Sequence, residues 1–311
     1  MEPSPELSIV IVAHNGRERV LQTVASALAA ATDVDLELLL VDSGSTDGTA
    51  DAGERLGDPV RVIRSVNRGF AAGSNRALRD ARGRYVLLLN PDVDIAHGSF
   101  RELLTALDQR PTVGAASVIQ RSPTGYLLNT IRRFPSPMQD MGEAVFAQRW
   151  PIVGHLQSTV VDESEYEHEK AVDWVVGAFL IMRREALIEV GLLDERFFLY
   201  SEETDWCLRL RQKGWDARHL PVMTIVHHEG GYERSELVAQ LSHSKVLFAQ
   251  KHRGTVEVFL TRLALALRHG IRILLWLAPA ATRSGSRVRL GGELRALAVV
   301  LKLARPPFPN S

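Results

Sequence analysis

The sequence predicts an α/β fold built on a mainly parallel sheet with helices on both faces. Three observations predict it. First, four short apolar runs, Leu7 to Ala13, Leu36 to Val41, Val60 to Ser65 and Tyr85 to Leu89, are rich in Leu, Val and Ile and read as buried strands. Second, segments with helical apolar spacing or capping signals separate them, and alternating strands and helices mean βαβ units and a parallel sheet. Third, each run ends in a polar loop. Right-handed crossovers place such loops on one edge of the sheet, where open α/β sheets bind ligands.

The elements follow in order. After Leu7 to Ala13 come the loop His14-Asn15-Gly16 and a helix from Arg17 to Ala31, with Val20, Leu21, Val24, Ala27 and Leu28 on one face. The second strand ends in the polar loop Asp42 to Thr49. That loop caps a helix from Ala50 to Leu56, with Asp47 as the capping acid. The third strand leads to a glycine-rich loop, Asn67 to Asn75, and a helix to Ala81. The fourth stops at Asn90-Pro91-Asp92-Val93-Asp94. These carboxylates could hold a divalent cation, and the cation a diphosphate; the plainer reading is a turn that ends the strand.

Phe100 to Gln109 reads as a helix and Val113 to Gln120 as a strand. Ser122 to Lys170 contains Pro123, Pro135, Pro137, Pro151 and an acidic run at Asp162 to Glu169, so a long, partly mobile excursion with little structure is expected. Val172 to Arg183 is a strand pair. Arg184 to Val190 is a short helix stopped by Gly191. A further helix starts near Ser201, with Glu202 and Glu203 on its first turn, where the helix dipole favours acids. Val222 to Val226 is a strand that ends in His227-His228-Glu229-Gly230-Gly231.

From Ser235 the chain reads as helical. Arg262, Arg268, His269 and Arg272 interrupt the apolar run Val258 to Leu277 and share one stripe about 120° wide at about 100° per residue. Two readings stand: an interfacial membrane helix, or a packed helix with its arginines in water. Thr282 to Gly292 reads as a basic linker and Glu293 to Ala304 as a second short helix. The expected organisation is an α/β domain over 1–234, in two halves over 1–120 and 121–234, then a basic, membrane-associating helical region over 235–311.

Bulk composition bounds the function. The 311 residues are 45% hydrophobic and 24% charged with zero net charge, so nothing global points to nucleic acid. Eleven basic and two acidic residues follow Gln250, which gives the last segment a partner of its own. The single Cys207 allows no internal disulfide and fits a reducing compartment. MEPSPELS lacks the features of a signal peptide, and every stretch of eighteen residues carries a charge, so no spanning helix is expected.

Taken together, SIVIVAHN, VDSGSTDGT, NRGFAAGSN, LLLNPDV, the long segment from Val172 to Trp215 and HHEGG resemble the inverting family-2 glycosyltransferases, specifically the rhamnosyltransferase-like subgroup of bacterial cell-surface glycan synthesis. The match runs from about residue 7 to 232, and its specificity lies in the set of motifs. The resemblance implies the GT-A fold, a Rossmann-like nucleotide-binding sheet, and implies roles for residues at matching positions. His14, Asn15 and Asp42 would hold the nucleobase, Asp42 by accepting the imide N–H of uracil or thymine. Asn67, Gly69, Gly73 and Asn75 would contact the nucleotide sugar. Asn90-Pro91-Asp92 stands where the family has Asp-X-Asp, so Asp92 would bind Mg²⁺ or Mn²⁺ with His227, Asp94 being a further helper and His228 the alternative to His227. Glu203 would be the catalytic base, with Glu202 and Asp205 as rivals. Trp174, Gly177 and Ala178 would line the acceptor side.

The implied activity is metal-dependent inverting transfer of a sugar, L-rhamnose from dTDP-rhamnose, to a polyprenyl-linked or polysaccharide acceptor. A UDP-sugar donor carrying galactofuranose, glucose or N-acetylglucosamine is the alternative. The enzyme would be cytoplasmic and peripheral at the inner face of the plasma membrane. Its basic helices would meet anionic headgroups there or form a homodimer. A sugar nucleotidyltransferase would need a longer glycine-rich loop after the first strand than His14-Asn15-Gly16-Arg17. A non-catalytic glycan-binding scaffold would have no need for the acids at 202–205.

Overall fold

The computed structural model describes residues 4–144, 158–228, 235–280 and 284–308. They form two compact units. One comprises 1–132, 160–195 and 202–229; the other comprises 133–159, 196–201 and 230–311. The chain therefore does not divide at a single point near residue 234. Two inserts from the middle of the sequence belong with the C-terminal helices.

The first unit begins with β1 (Leu7–Ala13), α1 (Arg17–Ala29), β2 (Leu36–Ser43), α2 (Thr49–Glu54), β3 (Val60–Ser65), α3 (Phe70–Leu78) and β4 (Tyr85–Leu89). β5 (Val93–His97), α4 (Phe100–Asp108), β6 (Val113–Arg121) and β7 (Ile131–Arg132) follow. α5 (Pro137–Ala144) lies in the other unit, and the chain returns through β8 (Lys170–Val172), β9 (Trp174–Val175), β10 (Phe179–Arg183), α6 (Arg184–Val190), α7 (Glu202–Gln212) and β11 (Asp216–His227). The main sheet runs β3-β2-β1-β4-β10-β6-β11-β5, with β8 on β11; β7 and β9 form a separate ribbon. β1 to β4 are mutually parallel, and β10 is antiparallel to both β4 and β6.

Apolar alternation builds the layers. Leu7, Ile9 and Ile11 of β1 share a core with Val20 and Val24 of α1 and with Phe100, Leu103 and Leu107 of α4. Val12 points the other way and meets α3 at Gly73, where a Cβ would stand 2.7 Å from Val12 Cγ1. Helices thus cover both faces, and the expected architecture is the one observed. α4 carries the reciprocal Ser99–Glu102 capping box. β11 is much longer than the expected strand at Val222 to Val226, because its first half pairs with β6 and β8.

Three expectations differ. α3 starts at Phe70, so most of the glycine-rich segment is helix. The excursion from Ser122 contains β7, α5, a short 3₁₀ turn at Glu163–Tyr166 and β8. Residues 145–157, with Pro151, lie outside the described residues. The supposed linker at Thr282 to Gly292 is helical from Ser284 onward.

The second unit packs α5 with α8 (Ser235–His252), α9 (Thr255–Ala280) and α10 (Ser284–Val300). The basic stripe of α9 faces inward. Arg268 pairs with Glu143 at 3.0 Å, Arg272 pairs with Glu293 at 3.3 Å, and Arg262 donates to the Val300 carbonyl. His269 lies between Ser242 Oγ, at 2.9 Å from Nε2, and Glu293 Oε2, at 2.5 Å from Nδ1. Burial raises the Glu143 carboxyl, but Lys245 and Arg268 outweigh it and hold it down at about 2. The arginines therefore serve the helix bundle, which corrects the reading that puts them in water. Among the described residues no helix is long and apolar enough to cross a membrane.

Candidate active site

The C-terminal edge of the parallel strands gathers the polar residues. Past β4, the Asn90 N–H donates to the Ala178 carbonyl at 3.0 Å, which extends the pairing with β10 by one residue. Pro91 ends it, because proline has no N–H to offer. Its carbonyl accepts the Thr23 hydroxyl at 2.9 Å, and that hydroxyl accepts the Val93 N–H at 3.1 Å, so α1 pins the turn. The Asp92 carbonyl accepts the His228 N–H at 2.9 Å and ties the turn to the end of β11.

This fixes the Asp92 side chain. Its Oδ1 is buried, accepts no hydrogen bond, and lies 3.3 Å from His227 Nε2. Asn90 Nδ2 stands 3.4 Å from the same nitrogen. Asp94 and His228, the expected helpers, are engaged elsewhere. His228 Nε2 is 2.8 Å from Asp94 Oδ2, and Arg19 donates to Asp94 as well. Consecutive strand residues point to opposite sides, which is why His227 and His228 part company. Burial pushes the Asp94 carboxyl up, yet Arg19 and His228 hold it below the usual range.

A hard divalent cation fits this arrangement. Mg²⁺ and Mn²⁺ sites use few protein ligands when phosphate and water oxygens complete the shell. Asp92 offers an uncommitted buried oxygen and His227 a neighbouring nitrogen. Among the described residues no three His, Cys, Asp or Glu side chains gather into a full cage, so the pair suits a cation shared with a diphosphate.

At the β2 end, Asp42 is paired with Ala13 and is 4% exposed. Its Oδ2 accepts the Ser45 N–H at 3.2 Å, while Oδ1 is buried and accepts nothing. His14 Nδ1 lies 2.8 Å from the Ser43 carbonyl, a contact that requires the proton on Nδ1. Asn15, at φ 63°, accepts the Thr46 N–H and donates its own N–H to Ser45 Oγ. Asp47 stands one residue before the N-cap Gly48 and accepts the Thr49 N–H, on the first turn of α2, at 3.1 Å. The Thr49 hydroxyl and the Arg17 N–H hold its carboxyl at about 2.

The Asn67 to Asn75 set divides. Asn67 Oδ1 accepts the Gly69 N–H at 3.1 Å, and Gly69, at φ 94°, starts α3. Gly73 makes room for Val12 and Ser43. Asn75, 1% exposed, exchanges hydrogen bonds with the backbone of Leu193 at 2.9 and 3.0 Å and donates to Glu195. Gly73 and Asn75 therefore secure packing and the 193–195 segment.

The acids at the start of α7 are likewise sorted. Asp205 is fully buried and paired with Arg209 at 2.9 Å. Glu202 is 4% exposed. Glu203 is half-buried, beside Gly177, whose N–H faces its carboxyl. Burial raises both glutamates, Glu202 well above the usual range with the Glu203 charge adding to it. Glu203 is the one of the three left within reach. Trp206 anchors the helix through the Gly191 carbonyl at 2.8 Å. Cys207, the next residue, is sealed in, and burial raises its thiol to about 12.

Glu203, Gly177, Ala178, Asn90, His227 and Asp92 thus form one connected row. Trp174 is half-buried at its margin. Two residues went unnoticed in the sequence. Arg19 reaches Asp94 from α1. Arg132 sits opposite Trp174 in the β7–β9 ribbon, and its charge acts on Glu203. The β-branched Thr130 and Ile131 before it were the available signal.

Comparison with known proteins agrees with this geometry. The family model for glycosyl transferase family 2 matches residues 8–191. An N-acetylglucosaminyl-diphospho-decaprenol L-rhamnosyltransferase of Mycobacterium tuberculosis is 31% identical over 251 residues, covering 75% of this chain and 81% of that protein. The rhamnosyltransferase WbbL of Escherichia coli is 25% identical over 54% of this chain and 63% of its own length. In structure, the mannosyltransferase PcManGT from Pyrobaculum calidifontis, solved with GDP-Man and Mn²⁺, aligns with a TM-score of 0.59 at 17% identity over 97% of this chain and 87% of its own. The chain belongs to glycosyl transferase family 2 and is a glycosyltransferase.

Proposed function

We propose that this family 2 enzyme moves L-rhamnose from dTDP-L-rhamnose to a saccharide carried on a polyprenyl diphosphate, with inversion, at the inner face of a membrane. The observation that carries the sugar and the acceptor is the 31% identity over three quarters of the chain to a relative named for that transfer.

The chain's own residues have separable tasks in this reading. Asp42 Oδ1, buried and without a donor, accepts the imide N–H of thymine. Glu203 takes the proton of the acceptor hydroxyl as that oxygen attacks the anomeric carbon and the diphosphate leaves. Its raised proton affinity suits it to hold that proton, and the Gly177 N–H and the Arg132 charge keep the carboxylate available before transfer. Asp92 and His227 would hold Mg²⁺ or Mn²⁺, which when bound would supply positive charge to the departing diphosphate. Trp174 offers a face for a sugar ring.

A UDP-sugar donor is the second reading, because uracil presents the same imide N–H to Asp42. A panel of nucleotide sugars assayed for binding and hydrolysis, with Mg²⁺ or Mn²⁺ and with chelator, tests the proposal. Metal-dependent turnover of dTDP-rhamnose above the UDP-sugars is expected. Preference for a UDP-sugar would overturn the rhamnose assignment.

A further inference from the structure

The second unit exposes a continuous apolar helix face. α9 is 26 residues long, and Val256, Phe259, Leu263 and Leu274 are 71%, 64%, 48% and 71% exposed. Leu260, Leu267, Leu275 and Leu277 are exposed as well. At about 100° per residue, all of these except Leu275 fall in an arc about 100° wide. No charged residue lies in that arc. From Val256 to Leu277 it extends about 32 Å at the helical rise.

Burial of the arginines makes this face possible. Arg262, Arg268 and Arg272 are turned into the bundle by Val300, Glu143 and Glu293, so the polar side of α9 is internal and its apolar side is external. An ordinary surface helix has the opposite orientation. Monomeric proteins rarely leave so long an apolar row in water.

The surroundings indicate what covers it. Arg287, Arg295, Lys302 and Arg305 are exposed on α10 and just beyond it. Arg289 lies over the Trp276 ring at 5.1 Å, on the side of α9 that packs against α10. On these helices the partly exposed acids are Glu236, which Arg295 engages, and Glu257. A second copy would bring the same excess of positive charge to the contact and be repelled. An anionic lipid surface would attract it.

We infer that the outward face of α9, from Val256 to Leu277, docks on an anionic lipid surface. The helix lies in the plane of the interface, with its leucines in the acyl boundary and the basic residues of α10 at the headgroups. The assignment does not rest on the rhamnose reading, since binding to lipid is measured without donor or acceptor.

Flotation of the full chain with phosphatidylcholine vesicles, with and without phosphatidylglycerol, tests it. The wild-type chain is expected to float with the anionic vesicles and far less with the neutral ones. Leu263→Glu/Leu267→Glu is expected to lower the bound fraction by on the order of tenfold, with the circular dichroism of the wild type and a melting temperature close to it, because both side chains are on the exposed face. Arg287→Glu/Lys302→Glu, which leaves the apolar row intact, is expected to abolish the preference for anionic vesicles. Flotation of either variant like the wild type would overturn the proposal. So would a wild-type chain that stays off vesicles and sediments as a dimer that Leu263→Glu dissolves, which would make the face a subunit interface.

Discussion

His227 Nε2 stands 3.3 Å from Asp92 Oδ1, and that oxygen is buried without a hydrogen-bond donor. The two residues come from the end of β11 and the turn after β4, and the hydrogen bond from the His228 N–H to the Asp92 carbonyl holds them together. An uncompensated buried carboxylate oxygen beside an imidazole is costly unless a cation joins them.

Asp92→Asn and His227→Ala should therefore weaken metal-dependent donor binding, the first by more than tenfold, with little loss of fold. Titration of donor against each variant, at several Mn²⁺ concentrations, checks this. Chelator should weaken donor binding to the wild type, whereas binding to Asp92→Asn should already be insensitive to it. Asp94→Asn should instead act through Arg19 and His228, and lower stability more than metal response.

Glu203→Gln should reduce kcat by about 10²- to 10⁴-fold, the usual worth of a positioned base, and leave donor affinity near the wild-type value. Burial raises the Glu203 carboxyl, so the base is protonated and idle at low pH. Wild-type kcat should rise with pH through a value above the ordinary glutamate range. Full activity in Glu203→Gln would remove the residue from the mechanism.

Glu202→Gln should raise the melting temperature at neutral pH. The folded chain holds the Glu202 proton more tightly than the unfolded chain does, because burial and the Glu203 charge disfavour ionisation. Stability from such a group is present below the unfolded glutamate pKa and is lost as pH rises through the folded value. Glutamine removes that loss. The difference between variant and wild type should shrink as the melts are repeated toward acid pH.

Asn75→Ala should cost roughly 1–3 kcal/mol, the penalty for leaving the buried Leu193 N–H and carbonyl unsatisfied. Donor affinity of the folded fraction should hold. Denaturant melts paired with donor titration separate this structural role from the donor contact that the motif alone implied. A loss of affinity at unchanged stability would restore Asn75 to the donor site.

By itself the sequence determined the order of strands and helices from Leu7 to Leu89, the polar loops at one sheet edge, and the set of acids and histidines from which the site is drawn. These follow from local physics: apolar periodicity, capping residues and the short reach of a turn. Asp42, Asp92, Glu203 and His227 could be named because they match the motifs of the family the sequence resembles, and each stands at the end of a strand or the start of a helix, at the sheet edge. Tertiary structure decided which polar groups have partners. It gave Asn75 to Leu193, Asp205 to Arg209, and Asp94 to Arg19 and His228, and it left Asp92 Oδ1 and Asp42 Oδ1 without donors. It also decided the direction of α9. A helical wheel shows that arginines and leucines lie on opposite sides of a helix. Which side faces inward depends on acids such as Glu143 and Glu293, brought from elsewhere in the chain to neutralise buried charge.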